Sequence, residues 1–82
     1  MFDFDGFERR EMALQVNSLA CGDNIRALMA EEAKACPNAQ KIEEIKAEGR
    51  RLWREKQEIY SGNIEVQQRL ADIGFGRRKE ED

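Results

Sequence analysis

The sequence predicts an all-α protein, a small helical bundle or hairpin of three to four helices. Three observations support this prediction. Helix-favouring residues dominate the 82-residue chain, and β-branched residues are few. No run of strand length alternates apolar and polar residues as a half-buried strand does, and no hairpin dipeptide joins two such runs. Sparse glycines and one proline divide the chain into segments of helical length. We expect one helical domain, residues 1–76, followed by a charged, disordered tail, residues 77–82.

The first predicted helix, Asp5 to Cys21, carries two apolar faces. Aspartate is a favoured N-cap residue, so Asp5 suits the start of this helix. A helix that is apolar on two faces has to be covered from two sides. Two interpretations are open: the helix lies at the centre of its own bundle, or it shares a face with another subunit or partner. At 100° per residue, one face holds Met12, Ala13, Val16, Leu19 and Ala20, and the other holds Phe7, Leu14 and Cys21.

The second predicted helix covers residues 24–35. We expect a break before it at residues 22–24, because Gly22 weakens a helix and Asp23 is a good N-cap residue. Proline disfavours the α conformation of the residue that precedes it, so Pro37 is expected to end this helix near Cys36. The apolar stripe of the helix consists of Ile25, Leu28, Met29 and Cys36.

The third predicted helix, Asn38 to Ser61, carries the strongest signal and is expected to be the longest. Its seam positions are spaced three and four residues apart, as in a coiled coil. Gly49 and Lys56 interrupt the apolar seam, and we interpret Gly49 as a point where another helix, or Trp53 of a second chain, approaches closely. Trp53 and Tyr60 widen the stripe on one side. The seam consists of Ile42, Ile45, Gly49, Leu52, Lys56 and Ile59.

The last predicted helix, Asn63 to Ile73, is short. Its apolar face consists of Val66, Leu70 and Ile73. We expect Gly74 to end the helix in the left-handed conformation, with Phe75 folding back on Leu70 as in a Schellman motif.

Several classes of chemistry are disfavoured by the composition. Histidine is absent, which removes the commonest general base and the commonest neutral metal ligand. The adjacent glutamate pairs point about 100° apart on a helix and do not share a site. We therefore expect a non-enzymatic protein without a cofactor or a metal site. Cys21 and Cys36 are too few for a disulfide framework and are expected to be reduced, with a bond across a helical hairpin as the alternative.

The charge balance bears on partners and location. The net charge of −3 gives no general attraction to nucleic acid or to anionic membranes. No apolar run has the length of a membrane span, and an acidic N-terminus is unlike a secretory signal. We expect a cytoplasmic protein that binds no membrane. Because so short a chain buries a limited core, we also expect a homo-oligomer, most simply a dimer.

The leading hypothesis is a protein–protein interaction module, for example an adaptor, an assembly factor, or a small inhibitor or regulator of a larger protein machine. The alternative is a small nucleic-acid-binding regulator, in which an arginine cluster contacts phosphates. The N-terminal phenylalanines either cap the open end of the bundle or dock into a partner. The predicted partner-binding residues are Phe2, Phe4, Phe7, Arg50, Trp53 and Tyr60, and the candidate phosphate contacts are Arg50, Arg51 and Arg54.

Overall fold

The computed structural model describes residues 5–81, with side chains over residues 5–76. Three helices follow one another, α1 (Gly6–Glu32), α2 (Ala39–Ser61) and α3 (Ile64–Glu81), and residues 5–81 contain no strand. The predicted all-α class is confirmed. The backbone of α3 includes residues 77–81 of the expected tail, and the disorder of that tail stays a prediction.

Helix α1 occupies the centre of the fold. It packs along both other helices, whereas α2 and α3 meet over a short stretch. Hydrogen bonds from Asn17 to the Leu52 carbonyl and from Asn24 to the Ile45 carbonyl make α1 and α2 antiparallel. Arg9 donates to Gln67 near the start of α3, which runs parallel to α1. The first helix is therefore the central helix of its own bundle, as one of the two interpretations held.

The predicted break at residues 22–24 is wrong, because α1 continues through Gly22. A glycine inside a helix costs roughly 1 kcal/mol relative to alanine. Here Asn17 and Asn24 bond to α2 on either side of Gly22 and hold both halves of α1 in place. Asp23 pairs with Arg26 in the next turn instead of capping a new helix. With 27 residues α1 is the longest helix, and α2, predicted to be the longest, has 23.

The end of α1 also differs from its prediction. The helix stops at Glu32, four residues before Cys36. The carboxylate of Glu31 is 3% exposed and accepts a hydrogen bond from the backbone N–H of Asn38 at 3.0 Å. This hydrogen bond places residue 38 beside the end of α1. The helix therefore ends at Glu32, before the position at which the conformational restriction by Pro37 would end it.

Helix α2 matches its prediction closely. The side chain of Asn38 caps its start by accepting the backbone N–H of Lys41, and Gly62 ends it with a φ of 92°. This left-handed conformation is one that glycine adopts without strain. Every predicted seam position is buried or half-buried, and Glu55 is the one further residue of α2 that is not exposed. The seam faces α1.

Gly49 allows the side chain of Asn24, on α1 of the same chain, to approach α2 closely. A Cβ atom at this position would lie 2.7 Å from Oδ1 of Asn24, which is closer than real Cβ contacts. The Nδ2 group of Asn24 donates to the Ile45 carbonyl at 2.9 Å. The helix that approaches Gly49 is therefore α1, and the space left by its missing side chain is not free for Trp53 of a second chain.

The expected helix stop at Gly74 is wrong, because α3 continues past it. Gly74 is buried where α3 crosses α1, and a Cβ atom there would lie 2.6 Å from Cγ of Met12 and 2.9 Å from Cγ2 of Val16. Ala13 and Ala71 are fully buried in the same cluster. These small residues let the two helices approach closely, and that packing explains the glycine. Phe75 stays within the helix and packs against the core.

The core is small for the length of the chain. The fold is elongated, with extents of 48 × 32 × 15 Å and a radius of gyration of 15.1 Å, whereas a compact chain of this length has about 11.7 Å. Leu19, placed on an apolar face from the sequence, is 58% exposed. The described part therefore leaves much large apolar surface in contact with solvent. Its buried apolar residues are Met12, Ala13, Val16, Leu52, Ile59, Leu70 and Ala71, and its exposed large ones are Phe7, Leu19, Ile25, Met29, Trp53, Tyr60, Ile64 and Ile73.

Candidate docking groove between the first two helices

A groove runs between α1 and α2 on the side away from α3. Glu55 marks the α3 side of α2, because its carboxylate accepts a hydrogen bond from Arg69 at 3.1 Å. Trp53 lies two residues before Glu55 and therefore about 160° around the helix from it. The groove has a volume of about 200 Å³ and is lined by Cys21, Asn24, Ile25, Gly49, Leu52, Trp53 and Lys56.

The rim of the groove is apolar and accessible. Trp53 is 61% exposed, Tyr60 55% and Ile25 57%. Trp53 and Tyr60 are seven residues apart, so their side chains lie on the same side of α2. Each of the two aromatics leaves roughly 100–150 Å² in contact with solvent. Trp53 is therefore a surface residue that covers one wall of the groove, and the core does not enclose it.

A line of polar contacts fixes how α1 and α2 are aligned. Asn17, Asn24 and Glu31 are spaced seven residues apart on α1 and face α2. Their partners are the backbone of residues 52, 45 and 38, which are spaced by seven in the opposite direction. We call these three contacts the polar ladder. It holds one alignment of the two helices and thereby keeps the groove between them formed.

Asn17 is the most buried member of the polar ladder, with no exposed surface. Its Nδ2 group donates to the Leu52 carbonyl at 3.0 Å and to Oε1 of Glu55 at 3.1 Å, and its Oδ1 accepts from Sγ of Cys21 at 3.6 Å. None of these three polar residues was predicted from the sequence to face α2. The available signal was their seven-residue spacing, which places them on one side of a continuous helix.

Glu31 closes the polar ladder at the turn between α1 and α2. Its pKa is lowered mainly by the hydrogen bond from the Asn38 backbone N–H, and further by a hydrogen bond from Lys34 at 2.9 Å and by the charges of Lys34 and Lys41. Burial alone would raise the pKa of Glu31, but the hydrogen bonds and the lysine charges lower it by more. The ionised carboxylate therefore ties the first and last parts of the turn together.

Cations border the groove, and no acid among the described residues lies one helical turn from Arg50 or Lys56 on α2. Arg50 and Lys56 are one helical turn before and after Trp53, and Lys56 lines the groove. Arg10 stands over the ring of Tyr60, 5.4 Å from its centroid. Such a position over an aromatic face is favourable for a cation. The residues one turn from Ile25 on α1 are uncharged: Cys21, Gly22, Leu28 and Met29.

The other side of α2 carries paired charges instead. Arg51 forms ion pairs with Glu48 and with Glu55, the latter at 3.4 Å. The hydrogen bond from Arg51 lowers the pKa of Glu48, and the same bond raises the pKa of Arg51. Arg51 is thus engaged within its own helix. Arg50 and Arg54 are exposed, and neither forms an ion pair with any side chain that the structure describes.

The predicted partner-binding residues do not all meet. Trp53, Tyr60 and Arg50 lie along the groove side of α2. Phe7 is 72% exposed and lies one helical turn before Arg10, the residue that stands over Tyr60, but it precedes Ile25 by 18 residues on α1, which is about 27 Å along the helix. The expected roles of Phe2 and Phe4 fall outside the described residues.

Other sites in the described part are few. Cys21 and Cys36 are both free thiols. Over the described residues no three cysteine, aspartate or glutamate side chains converge as a metal site requires. None of the described helices has the length and apolar content to cross a bilayer. Comparisons of the chain with protein-family models, curated proteins and solved structures gave no match.

Proposed function

We propose that this chain is a non-enzymatic helical interaction module that binds another protein through the groove between α1 and α2. The observation that supports this proposal is Trp53, 61% exposed beside an apolar groove that the polar ladder holds open. Tryptophan, tyrosine and arginine dominate the energetics of protein interfaces. An adaptor, an assembly factor, or a small inhibitor or regulator of a larger protein machine would use such a surface.

The size of the surface fits the centre of an interface. Trp53, Tyr60 and Ile25 together expose roughly 300–400 Å², which is in the range of the largest apolar patches on single chains, and such patches are often functional. A stable protein interface covers about 800 Å² on each partner. The apolar patch would therefore form the buried centre, and polar residues of both helices would form the rim.

The test compares Trp53→Ala with the matched control Ile64→Ala. Both side chains are 61% exposed, but Ile64 lies on α3 away from the groove. Tagged chains are used for affinity capture from the native host with quantitative mass spectrometry. Some proteins should be captured in equal amounts by the wild type and by Ile64→Ala. The captured amount of these proteins should be lower by about tenfold or more with Trp53→Ala, as expected for an aromatic residue at the centre of an interface.

Circular dichroism shows whether a Trp53→Ala variant that captures less protein is still folded. We expect Trp53→Ala to keep the wild-type helix content and unfolding midpoint. Unfolding of this variant would place Trp53 in the core and contradict the proposal. Equal capture by all three chains would also contradict it.

Self-association into a homodimer is a further proposal, supported by the small core and the exposed apolar residues of the described part. Light scattering over a concentration series distinguishes the 9.5 kDa chain from a species of twice that mass. The free thiols support a reducing location, and we propose the cytoplasm.

A nucleic-acid-binding regulator is the second candidate function. The observation in its favour is that Arg50 and Arg54 share a side of α2 and are free of ion pairs with the described side chains. The paired Arg51 and the net charge of −3 weigh against it. A salt titration with DNA and RNA decides: micromolar affinity that falls steeply with salt would favour this function over a protein partner.

A further inference from the structure

The charge around the groove differs in sign from the charge of the whole chain. The chain carries −3 overall, yet Arg50 and Lys56 flank Trp53 within one turn, and Arg10 covers Tyr60. The ion pairs of α2 lie on the opposite side, where Glu48 and Glu55 engage Arg51. The groove therefore presents a positive field over an apolar floor, and this field attracts acidic groups.

The shape of the groove selects the kind of partner segment. Two antiparallel helices form its walls, and the side chains of a third helix pack between such walls as ridges into grooves. One common way of binding an extended peptide is to add it as a strand to a sheet edge, and residues 5–81 contain no sheet. Helix α3 lies on the other side of α2, where Arg69 reaches Glu55, and leaves this groove unoccupied.

We infer that the groove takes an amphipathic helix of another protein whose apolar stripe is flanked by glutamate or aspartate. This inference rests on the proposed function and specifies the chemistry of the partner. Apolar side chains at successive helical turns would contact Ile25, Trp53 and Tyr60. The flanking carboxylates would reach Arg50 and Lys56, which need no rearrangement because no described acid holds them.

A second copy and a nucleic acid fit this groove less well. Two copies joined through the same groove would bring Arg50 and Lys56 toward their own counterparts, and like charges in an interface are unfavourable. Single-stranded nucleic acid binds along successive aromatic platforms in a basic channel. Of the two aromatic side chains at this groove, Tyr60 has Arg10 over its ring, and the walls beside Trp53 are the apolar side chains of Ile25, Cys21 and Leu52.

The test uses two synthetic amphipathic helical peptides with the same leucine stripe, one flanked by glutamates and the other by lysines. Trp53 is the only tryptophan, so its fluorescence reports binding at the groove directly. We expect saturable binding of the glutamate peptide and roughly tenfold weaker binding of the lysine peptide, since each exposed charge pair contributes modestly. High salt should reduce the difference between the peptides.

Charge reversal on the protein provides the second arm. The double variant Arg50→Glu with Lys56→Glu should reverse the preference between the peptides. The matched control, Arg50→Lys with Lys56→Arg, should retain it. Both changes lie at the groove border, and circular dichroism and the unfolding midpoint check that each variant folds as the wild type does.

Several results would overturn the inference. Equal affinity for both peptides would contradict the inference that the partner is acidic. Binding of neither peptide would contradict the inference that the partner segment is a helix. The capture experiment with Trp53→Ala would then test the proposed function separately. Preference for the glutamate peptide that survives charge reversal would place binding elsewhere. A concentration-dependent dimer that buries Trp53 would assign the groove to a second copy, and tighter, salt-sensitive binding of a DNA or RNA oligonucleotide would assign it to nucleic acid.

Discussion

Two glycines inside helices should respond in opposite directions to the same substitution by alanine. Gly22 lies in the middle of α1, and a Cβ atom there would meet only the guanidinium of Arg26, at 3.5 Å, an ordinary contact. Gly74 lies in α3 where it crosses α1, and a Cβ atom there would be 2.6 Å from Cγ of Met12 and 2.9 Å from Cγ2 of Val16. The local chemistry of the two changes is identical, so the difference isolates the packing.

The expected magnitudes follow from these distances. Gly22→Ala should stabilise the fold by about 0.5–1 kcal/mol, because alanine favours the helix and restricts the unfolded chain. Gly74→Ala receives the same gain but overpacks a cluster in which Met12 is 5% and Val16 8% exposed. Overpacking costs about 1–3 kcal/mol, and the rigid Val16 side chain places this site in the upper part of that range. The net loss should be about 1–2 kcal/mol.

Thermal and urea unfolding monitored by circular dichroism measure both changes. For a domain of this size each kcal/mol shifts the midpoint by roughly 4–8 °C, so the two variants should differ by roughly 10 °C or more. The scans are repeated at several protein concentrations, since self-association makes the midpoint depend on concentration. Stabilisation by Gly74→Ala would refute the close approach of α1 and α3. Destabilisation by Gly22→Ala would refute a continuous α1.

Two further predictions concern the polar ladder. Asn17→Ala should cost about 1–3 kcal/mol in urea unfolding, because it removes a fully buried side chain together with its hydrogen bonds to the Leu52 carbonyl and to Glu55. The exposed neighbour change Ser18→Ala should have little effect, and equal effects would contradict the role of Asn17. The lowered pKa of Glu31 means that its ionised form stabilises the fold above the ordinary pKa of 4.5, and this contribution is lost as pH falls through the lower pKa of the folded state. Glu31→Gln should therefore lower stability at neutral pH and flatten its fall in acid. Unfolding midpoints measured across the acid range check both effects, and a pH profile equal to that of the wild type would contradict the role of Glu31.

The polar ladder also bears on how the groove works. Polar contacts between helices select one alignment at some cost in stability, as a buried asparagine does in a coiled coil. In this chain the selected alignment brings Ile25 of α1 and Trp53 of α2 to the same groove, which both residues line. A groove that is already formed saves its partner the entropic cost of ordering it. Loss of Asn17 is thus expected to weaken partner binding as well as stability.

Part of the fold could be predicted from local chemistry. The bounds of α2 follow from Asn38 as a cap and from the left-handed Gly62, and its buried face follows from a seam with spacing near the helical period. The position of Trp53 beside that seam also followed from spacing. These features depend on residues within one or two turns of each other, and such relations are present in the sequence itself.

The remaining features depend on contacts between distant segments. Gly22 and Gly74 have the local chemistry of helix ends, yet both lie within helices, because Asn17 and Asn24 hold α1 against α2 and because Met12 and Val16 occupy the space beside Gly74. Tertiary packing outweighs a propensity difference of about 1 kcal/mol. For the same reason the sequence by itself determined that this chain is helical and which face of α2 is buried, whereas only the tertiary structure decided which glycines end a helix and which side of the helix pair stays open.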